Sequence, residues 1–514
     1  MEANNQLSKE QRFESTVLLG TVFIVGLCTI IYELLIGSVS SYFLGDSITQ
    51  FSITIGLSMT AMGVGTLCSR YIKDQLIHWF VFVEFALGLV GGLSVPLLFA
   101  AYTYTSIYYP IMVSLIMIIG ILVGLEIPIL TRIMEGNYSL RANISNVLTL
   151  DYFGALIATI LFPFALLPFF GIFQSSIITG GINLTVGLFN LWCFREKLGI
   201  SKYKNLRSFG YCIVAAMIGL FIFSQSLLNA WESTIYEDRV ILSKRSRYQK
   251  IVLTKNKDDI RLYLDGNLQF SSIDEYRYHE ALAHIPLSLT KQHESVLILG
   301  GGDGMLAREI LKYQDVGNIT IVDLDEEVTL VARNQPLLKK LNQNSLQNPR
   351  VKVINADAFK YLQSTHQYYD LVLADLPDPK NSSLSRLYSR EFFKLIKKRL
   401  SKQGVFVTQS TSPFFAKKAF WCINSSIKAA GFKFVRPYHA YVPSFGDWGF
   451  MLAANINLDV EQIKIEVPTQ FLSTVNVAAL FNLPKDLKVA NIDHSSLDSP
   501  NILAYYLEGW KYWN

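Results

Sequence analysis

The chain is long, strongly apolar and only weakly charged. Its 514 residues leave room for two or three domains, hydrophobic residues make up 51% of it, and its mean hydropathy is +0.29. The net charge of +5 is spread thinly, without the basic tract that nucleic-acid binding needs, and the five cysteines show no metal-ligand or disulfide spacing. These features argue against a nucleic-acid-binding protein, a zinc module and a disulfide-stabilised domain.

Residues 1–230 are predicted to form a polytopic, α-helical membrane domain. Seven apolar stretches approach the roughly 20 residues that cross the hydrocarbon core of a bilayer: 16–36, 50–69, 79–101, 107–130, 150–173, 175–194 and 209–228. The first is too long for a signal-peptide core and lacks a small-residue cleavage site, so we expect it to be retained as an anchor. The expected location is the cell (inner) membrane, with the lipid bilayer as a partner.

Positive charges alternate from loop to loop along this region. Loops 70–78, 131–149 and 195–208 carry Lys or Arg, whereas residues 41–49, 102–109 and 171–174 carry none. The positive-inside rule therefore places the N-terminus and the basic loops in the cytoplasm. Seven crossings would then put the C-terminal domain on the far side, although its expected cofactor is made in the cytoplasm, and the sequence does not resolve this conflict.

Four carboxylates lie within or at the ends of these stretches: Glu33, Glu84, Glu126 and Asp151. Placing a carboxylate inside a membrane costs free energy, so a carboxylate found there suggests a functional site. Such a cluster could attract a cationic substrate. The alternative is structural, with Glu33 and Asp151 at the interface and the other two bonded to neighbouring helices.

Residues 235–455 have the pattern of an α/β domain. Strands are predicted at 240–243, 248–254 and 260–269, with a hairpin turn at the Asp-Gly pair of LYLDGNLQF, followed by a helix over 274–289. Strands then alternate with helices from residue 295 to about residue 430. This order predicts a Rossmann-like, methyltransferase-type domain with a parallel sheet covered on both faces and a small β-sheet before it. No role is assigned to residues 456–514.

Five acidic residues fall where the predicted strands end, the edge at which such sheets bind ligands: Asp303, Asp323, Asp357, Asp375 and Asp378. The glycines around Asp303 allow a tight turn and close approach of a ligand: Gly300, Gly301, Gly302 and Gly304. The spacing of Asp323 from them suits a residue that binds ribose hydroxyls, and Asp357 is placed to accept from an exocyclic amine such as that of adenine. For either residue alone, a helix N-cap is the alternative interpretation.

The position of Asp303 restricts the cofactor. A carboxylate in the glycine turn repels phosphate but attracts a sulfonium and a free ammonium. Asp375 and Asp378, in the stretch DLPDP, add two carboxylates that can hold an amine and accept its proton. The predicted chemistry is group transfer to an amine.

Four stretches carry a resemblance to a known family: LDGNLQFSSIDEYRYHEALAHIPL, GGGDG, DLPDP and LYSREFF. In their order and spacing, residues 248–455 resemble the spermidine synthase family of polyamine aminopropyltransferases. The first half, including YELLIGSVSSYFLGDSITQFS, resembles its membrane-bound bacterial members. The resemblance implies a direct displacement on decarboxylated S-adenosylmethionine as co-substrate, releasing methylthioadenosine without a metal.

The resemblance also implies roles for individual residues. Asp303 and Asp375 would meet the aminopropyl ammonium, Asp323 the ribose and Asp357 the adenine. Asp375 would also accept the proton of the attacking amine. The remaining implied residues are Gln249 and Gln269 in the cofactor pocket, the Tyr278 hydroxyl assisting Asp375, and Tyr278, His279 and Asp378 on the amine side.

The sequence departs from the family pattern on the amine side. Family members commonly carry a glutamate after the fifth strand, where this chain has Thr411, and the stretch YVPSFGDWGF is shorter than the usual loop. Asp447 is the candidate to replace the missing carboxylate, with Trp448 adding a cation–π contact; the alternative is a turn residue and a packing residue. Putrescine is the default acceptor among small polyamines.

Two other functions remain open: a methyltransferase that uses intact S-adenosylmethionine, and a non-catalytic polyamine sensor or transporter. The sequence does not determine the oligomeric state, for which a homodimer or a higher oligomer is possible.

Overall fold

The computed structural model describes residues 9–44, 47–135, 140–236 and 238–511. The chain divides into two compact units, Met1–Glu237 and Asp238–Asn514. The first has one hydrophobic core and the second has cores on its sheets.

The first unit is helical throughout its described residues. Its helices are α1 (Lys9–Leu44), α2 (Ser47–Ser69), α3 (Leu76–Tyr104), α4 (Tyr108–Ile133), α5 (Leu140–Leu161), α6 (Leu167–Cys193), α7 (Arg195–Leu198) and α8 (Ile200–Tyr236), with a π-helical turn at Phe162–Leu166. Helix α1 packs against α2, α5 and α6, and α3 packs against α4, α6 and α8. Helices α1, α3, α4 and α6 therefore enclose much of the interior.

In the described part of this unit, six helical runs are long and apolar enough to cross a membrane. That is one fewer than the seven stretches predicted, because 150–173 and 175–194 lie in a single run, Arg141–Cys193. The run is interrupted at Gly171, whose φ of 69° and ψ of 178° are not helical. A residue with a side chain rarely adopts this conformation, so glycine allows the break.

The second unit begins with a small antiparallel sheet in the order β1-β2-β3-β4. Its strands are β1 (Arg239–Arg245), β2 (Lys250–Asn256), β3 (Asp259–Leu264) and β4 (Asn267–Ser271). The hairpin predicted at Asp265-Gly266 is present, and both turn residues have the positive φ that such a turn requires.

A larger sheet of seven strands follows, in the order β10-β11-β9-β8-β5-β6-β7. The strands are β5 (Ser295–Gly300), β6 (Asn318–Asp323), β7 (Val351–Asn355), β8 (Tyr369–Asp375), β9 (Leu400–Gln409), β10 (Phe434–Val442) and β11 (Gly446–Ala454). The helices between them are α9 (Glu275–Leu289), α10 (Met305–Ile310), α11 (Glu326–Asn334), α12 (Pro336–Leu341), α13 (Ala358–Ser364), α14 (Ser382–Ser385), α15 (Arg390–Arg399) and α16 (Lys417–Ala429).

The parallel sheet predicted for the strands from residue 295 is present, but two further strands at one edge were not predicted. Strands β5 to β9 pair in parallel, but β11 runs antiparallel to both β9 and β10. The stretch YVPSFGDWGF, predicted to be a loop, forms the end of β10, a short turn and the start of β11. A short connection can join only antiparallel neighbours, so this hairpin makes the sheet mixed.

Residues 456–511, which had no assigned role, fold onto the second unit. The Glu280 side chain on α9 accepts backbone N–H bonds from Gln470, Phe471 and Leu472 at 2.6–2.9 Å. The last helix, α17 (Asn501–Trp510), packs against α16. This tail is therefore part of the α/β unit.

Candidate active site

The glycine turn after β5 brings three acidic residues together at the carboxyl edge of the sheet. Gly300 has a φ of 84°, and a Cβ there would lie 2.0 Å from the carbonyl oxygen of Asp375. A Cβ on Gly302 would lie 2.6 Å from Oδ2 of Asp323, which accepts the Gly302 N–H at 3.0 Å. Only glycine allows the turn to lie this close to both strand ends.

Asp375 and Asp303 form a half-buried acidic pair in which each carboxylate has a donor from the protein. The Tyr278 hydroxyl donates to Oδ1 of Asp375 at 2.6 Å, and the Met305 N–H donates to Oδ1 of Asp303 at 2.8 Å. Burial, with the charge of Asp303 nearby, raises the pKa of Asp375 to about 6, and burial also raises the pKa of Asp303. Both groups therefore hold protons more readily than ordinary carboxylates.

His279 supplies positive charge next to this pair. Burial opposes its protonation, but the Glu275 carboxylate, bonded to Nδ1 at 2.6 Å, raises its pKa to about 9. Arg308 in turn binds the Glu275 carboxylate through its two terminal guanidinium nitrogens, Nη1 and Nη2, at 2.8 and 2.9 Å. The buried His279 acts electrostatically on Asp303 and Asp375 and is fixed by Glu275.

Asp323 lies at the end of β6 but does not cap the following helix. Its Oδ1 accepts the Asp325 N–H at 2.9 Å, and burial raises its pKa to about 6. The N-cap of α11 is Asp325, whose side chain accepts from Glu327 N–H. Gln249 donates to Oδ2 of Asp325 at 3.0 Å, so the structure brings Gln249 to this corner of the site.

Asp357 has the N-cap role that the sequence left open. Its Oδ1 accepts the Lys360 N–H at 3.0 Å, and Arg386 forms an ion pair with Oδ2. Although burial opposes ionisation, these bonds lower its pKa. Gln269, also predicted to line the pocket, donates to the neighbouring carbonyls of Asn267 and Leu268, and these contacts do not connect it to the acidic residues.

Asp378 is surrounded by neutral donors. Gln409 Nε2 donates to its Oδ1 at 3.2 Å and the Thr411 hydroxyl to its Oδ2 at 3.1 Å, while burial raises the pKa of Asp378 to about 6. Thr411 has a φ of 54°, which is rare for a β-branched residue. The residue that replaces the expected glutamate is thus held in a strained conformation and binds Asp378.

Asp447 and Trp448 were predicted to contact the amine from a loop, but they do not lie in one. Both residues belong to β11, and the Asp447 carboxylate bonds Nδ1 of His439 across the hairpin at 2.7 Å. The Trp448 indole packs against Phe445, and its buried Nε1 has no partner among the described residues. The Asp447 charge therefore already has a partner within the protein.

Comparison with known proteins identifies the family of this site. Residues 275–462 match a family profile described as "Spermine/spermidine synthase domain". A polyamine aminopropyltransferase of Leptospira interrogans is 41% identical over 96% of this chain and 99% of its own. Polyamine aminopropyltransferase 2 of Ralstonia nicotianae is 39% identical over 96% of this chain and 98% of its own.

The chain belongs to the polyamine aminopropyltransferase family.

Among solved structures, the second half of this aminopropyltransferase is similar to spermidine synthases. One is a complex with the transition-state analogue AdoDATO, at 28% identity and a TM-score of 0.45, covering 49% of this chain and 87% of that one. Another is the enzyme from Thermotoga maritima, at 28% identity and a TM-score of 0.45, covering 49% of this chain and 86% of that one. In the parts of the chain that the structure describes, no group of three His, Cys, Asp or Glu is arranged for a metal ion.

Sequence reasoning missed two residues that reach Asp378 in this aminopropyltransferase. Gln409 ends β9 and also contacts the Tyr388 hydroxyl at 2.5 Å. Tyr506 on α17 forms a side-chain hydrogen bond with Asp378. The QS pair after an apolar strand could have indicated Gln409, but no local pattern connects Tyr506 to a residue so far away in sequence.

Proposed function

We propose that the protein transfers the aminopropyl group of decarboxylated S-adenosylmethionine to a small polyamine, with putrescine as the default acceptor. The observation that carries this proposal is the pair Asp375–Asp303, with Tyr278 and His279 beside it. Such a pair attracts an ammonium and a sulfonium and provides a base, whereas it would oppose the extra carboxylate of intact S-adenosylmethionine.

The reaction is a direct displacement. The acceptor nitrogen forms a bond to the aminopropyl carbon that is attached to sulfur. The bond between that carbon and sulfur breaks, and its electrons remain on sulfur in neutral methylthioadenosine. The nitrogen must lose a proton, because an alkylammonium has no lone pair to attack with. Asp375 takes this proton, and its pKa of about 6 makes it a better base than an ordinary aspartate.

Tyr278 is proposed to orient the base rather than to act as one. Burial and the neighbouring Asp375 charge raise the pKa of its hydroxyl well above the usual value, so it remains protonated. It therefore keeps donating to Oδ1 of Asp375 and leaves the other oxygen for the amine.

The remaining acidic residues near the strand ends are assigned to the other parts of the two substrates. Asp323 would bind the ribose, and Gln249 lies close to it because both residues contact Asp325. Asp357 would accept from the adenine amine with a free lone pair while it remains paired with Arg386. Asp378 is the favoured anchor for the acceptor, because its hydrogen-bond donors are neutral, although the charge of Lys380 also acts on it. The role of Asp447 stays a prediction, and its pairing with His439 makes it the weaker candidate.

Product analysis tests the proposal directly. The purified full-length protein is incubated with decarboxylated or intact S-adenosylmethionine and a panel of amines, and products are identified by mass spectrometry. We expect methylthioadenosine and an amine extended by one aminopropyl group from the decarboxylated form. Methylated amine from the intact form would instead establish the methyltransferase alternative.

We further propose that the first unit spans the cell membrane and that the α/β unit faces the cytoplasm. Six crossings, one of them by the run Arg141–Cys193, would return the chain to the side of its N-terminus, where the proposed co-substrate is made. This count places the basic loop 195–208 on the far side, so the positive-inside rule opposes it. Reporter fusions after residue 233 test it. A signal from the far side would mean that the run Arg141–Cys193 crosses twice.

A further inference from the structure

The helical unit contains its own buried acidic pair. Glu84 on α3 is 0% exposed and Glu126 on α4 is 1% exposed. Their carboxyl groups lie within hydrogen-bond reach of each other, yet no donor from the described residues reaches any of the four oxygens. Two carboxylates at this separation cannot both remain charged unless a cation lies with them.

Two neutral polar groups beside the pair also lack partners. The Tyr32 hydroxyl on α1 is buried, interacts electrostatically with both glutamates and has no hydrogen-bond partner among the described residues. Both amide atoms of Asn183 on α6, which is 1% exposed, also lack a hydrogen-bond partner among the described residues. Buried polar groups normally find partners, and each one left unpaired costs about 1–3 kcal/mol.

Packing of α3 against α6 places Asn183 near Glu84. A Cβ added to Gly187 would lie 3.1 Å from Cβ of Glu84, and Asn183 is one helical turn from Gly187 on the same face. Tyr32 packs on the same face of α3, where a Cβ on Gly91 would lie 2.4 Å from its ring. The four central helices thus each direct one polar side chain into the same region.

The residues that the structure describes pair no positive charge with Glu84 or Glu126. The ion pair described within the unit is Lys197–Glu14, and no ion pair of the described residues includes Glu84 or Glu126. The electrostatic partners of Glu126 are Glu84 and Asp151, both acidic. In a helical bundle of this composition, carboxylates without a counter-charge are expensive to retain.

We propose that Glu84, Glu126, Tyr32 and Asn183 form a binding site for the ammonium group of an aliphatic amine, separate from the aminopropyl-transfer site. An ammonium offers three donors and no acceptor, which complements two carboxylates and a hydroxyl or amide oxygen. Its methylene chain suits the apolar walls of the bundle. The described residues contain no group of three His, Cys, Asp or Glu that could hold a metal ion.

The test is the stoichiometry of amine binding to the full-length protein in detergent, measured by equilibrium dialysis with radiolabelled spermidine. The parent should bind about two molecules per chain and the Glu84→Gln/Glu126→Gln double variant about one, with turnover unchanged. Gln is isosteric and gives the pair a donor, so the variant is expected to fold. A Tm no lower than that of the parent verifies this, and retained turnover separates the result from any failure of the proposed reaction.

Two further variants keep the result interpretable. Tyr32→Phe removes one acceptor and should weaken the second site by roughly tenfold. Glu33→Gln is the matched control, because Glu33 lies in the same unit but already accepts from the Ser58 hydroxyl, and binding should not change. A parent that binds one spermidine or a double variant that binds two would overturn the proposal.

Discussion

The two units bury carboxylate pairs in opposite ways. In the α/β unit, Asp375 and Asp303 each accept from a protein donor, and the charged His279 lies beside them. In the helical unit, Glu84 and Glu126 face each other with neither donor nor counter-charge among the described residues. The first arrangement is prepared for reaction by the protein itself, whereas the second is complete only when something else binds.

The largest expected effect tests whether the first pair is a base. Asp375→Asn keeps the shape of the side chain and the Tyr278 contact but cannot take a proton. Turnover should fall by roughly 10²–10⁴-fold while most cofactor affinity remains. Single-turnover kinetics with calorimetric binding measure the two quantities separately, and parental turnover would remove Asp375 from this role.

The second effect concerns the charge of Asp303. Decarboxylated S-adenosylmethionine should bind at least about tenfold more tightly than the intact form, because a second carboxylate near Asp303 is repelled. In Asp303→Asn the ratio between the affinities for the decarboxylated and the intact form should be smaller. Calorimetric titration of both ligands against both proteins provides the comparison, and a preference for the intact form would contradict the assignment.

The third effect asks whether the tail contributes to the amine side of the site. Tyr506→Phe removes a donor to Asp378, and the KM for the acceptor amine should rise by about tenfold while the KM for the cofactor stays unchanged. Tyr505→Phe is the matched control, since it makes the same change one residue away. Equal effects in both variants would indicate a general loss of packing in α17.

The fourth effect is on pH dependence. Because burial raises the pKa of Asp375 and Asp378 to about 6, turnover should decline as the pH falls through about 6, where the base becomes protonated. The acceptor amine is protonated throughout this range, so its titration changes turnover smoothly with pH and gives no break near pH 6. A pH profile therefore distinguishes protonation of the carboxylates from protonation of the amine. A profile without a break near pH 6 would mean that neither carboxylate limits the rate.

The smallest effect concerns stability. In the absence of amine, Glu84→Gln supplies a donor to Glu126 and should raise the Tm by about 2–4 °C, as expected for about 1 kcal/mol. Glu33→Gln should leave the Tm unchanged or lower it, because it weakens the bond from Ser58. A lower Tm in Glu84→Gln would show that the pair is already satisfied.

The sequence predicted the features set by local pattern. Apolar runs and alternating strands and helices indicated the elements, and Asp303, Asp323 and Asp375 fell at strand ends because parallel strands share one edge. Strands β10 and β11 were not predicted, because Pro437 and the stretch PSFGD look like loop residues. Tyr506 and the partners of Asp357 and Asp447 come from distant parts of the chain, which only tertiary packing brings together.

Because Glu280 fastens residues 470–472, and α17 then brings Tyr506 to Asp378, the order of synthesis matters. Roughly 50 residues separate the end of the sheet at Ala454 from Tyr506, so at about 5–20 residues per second the nascent chain spends roughly 3–10 seconds with the sheet made and the tail missing. During that interval the reactive carboxylates are present without their last contact. The amine site therefore gains its contact from Tyr506 only after the rest of the α/β unit has been synthesised.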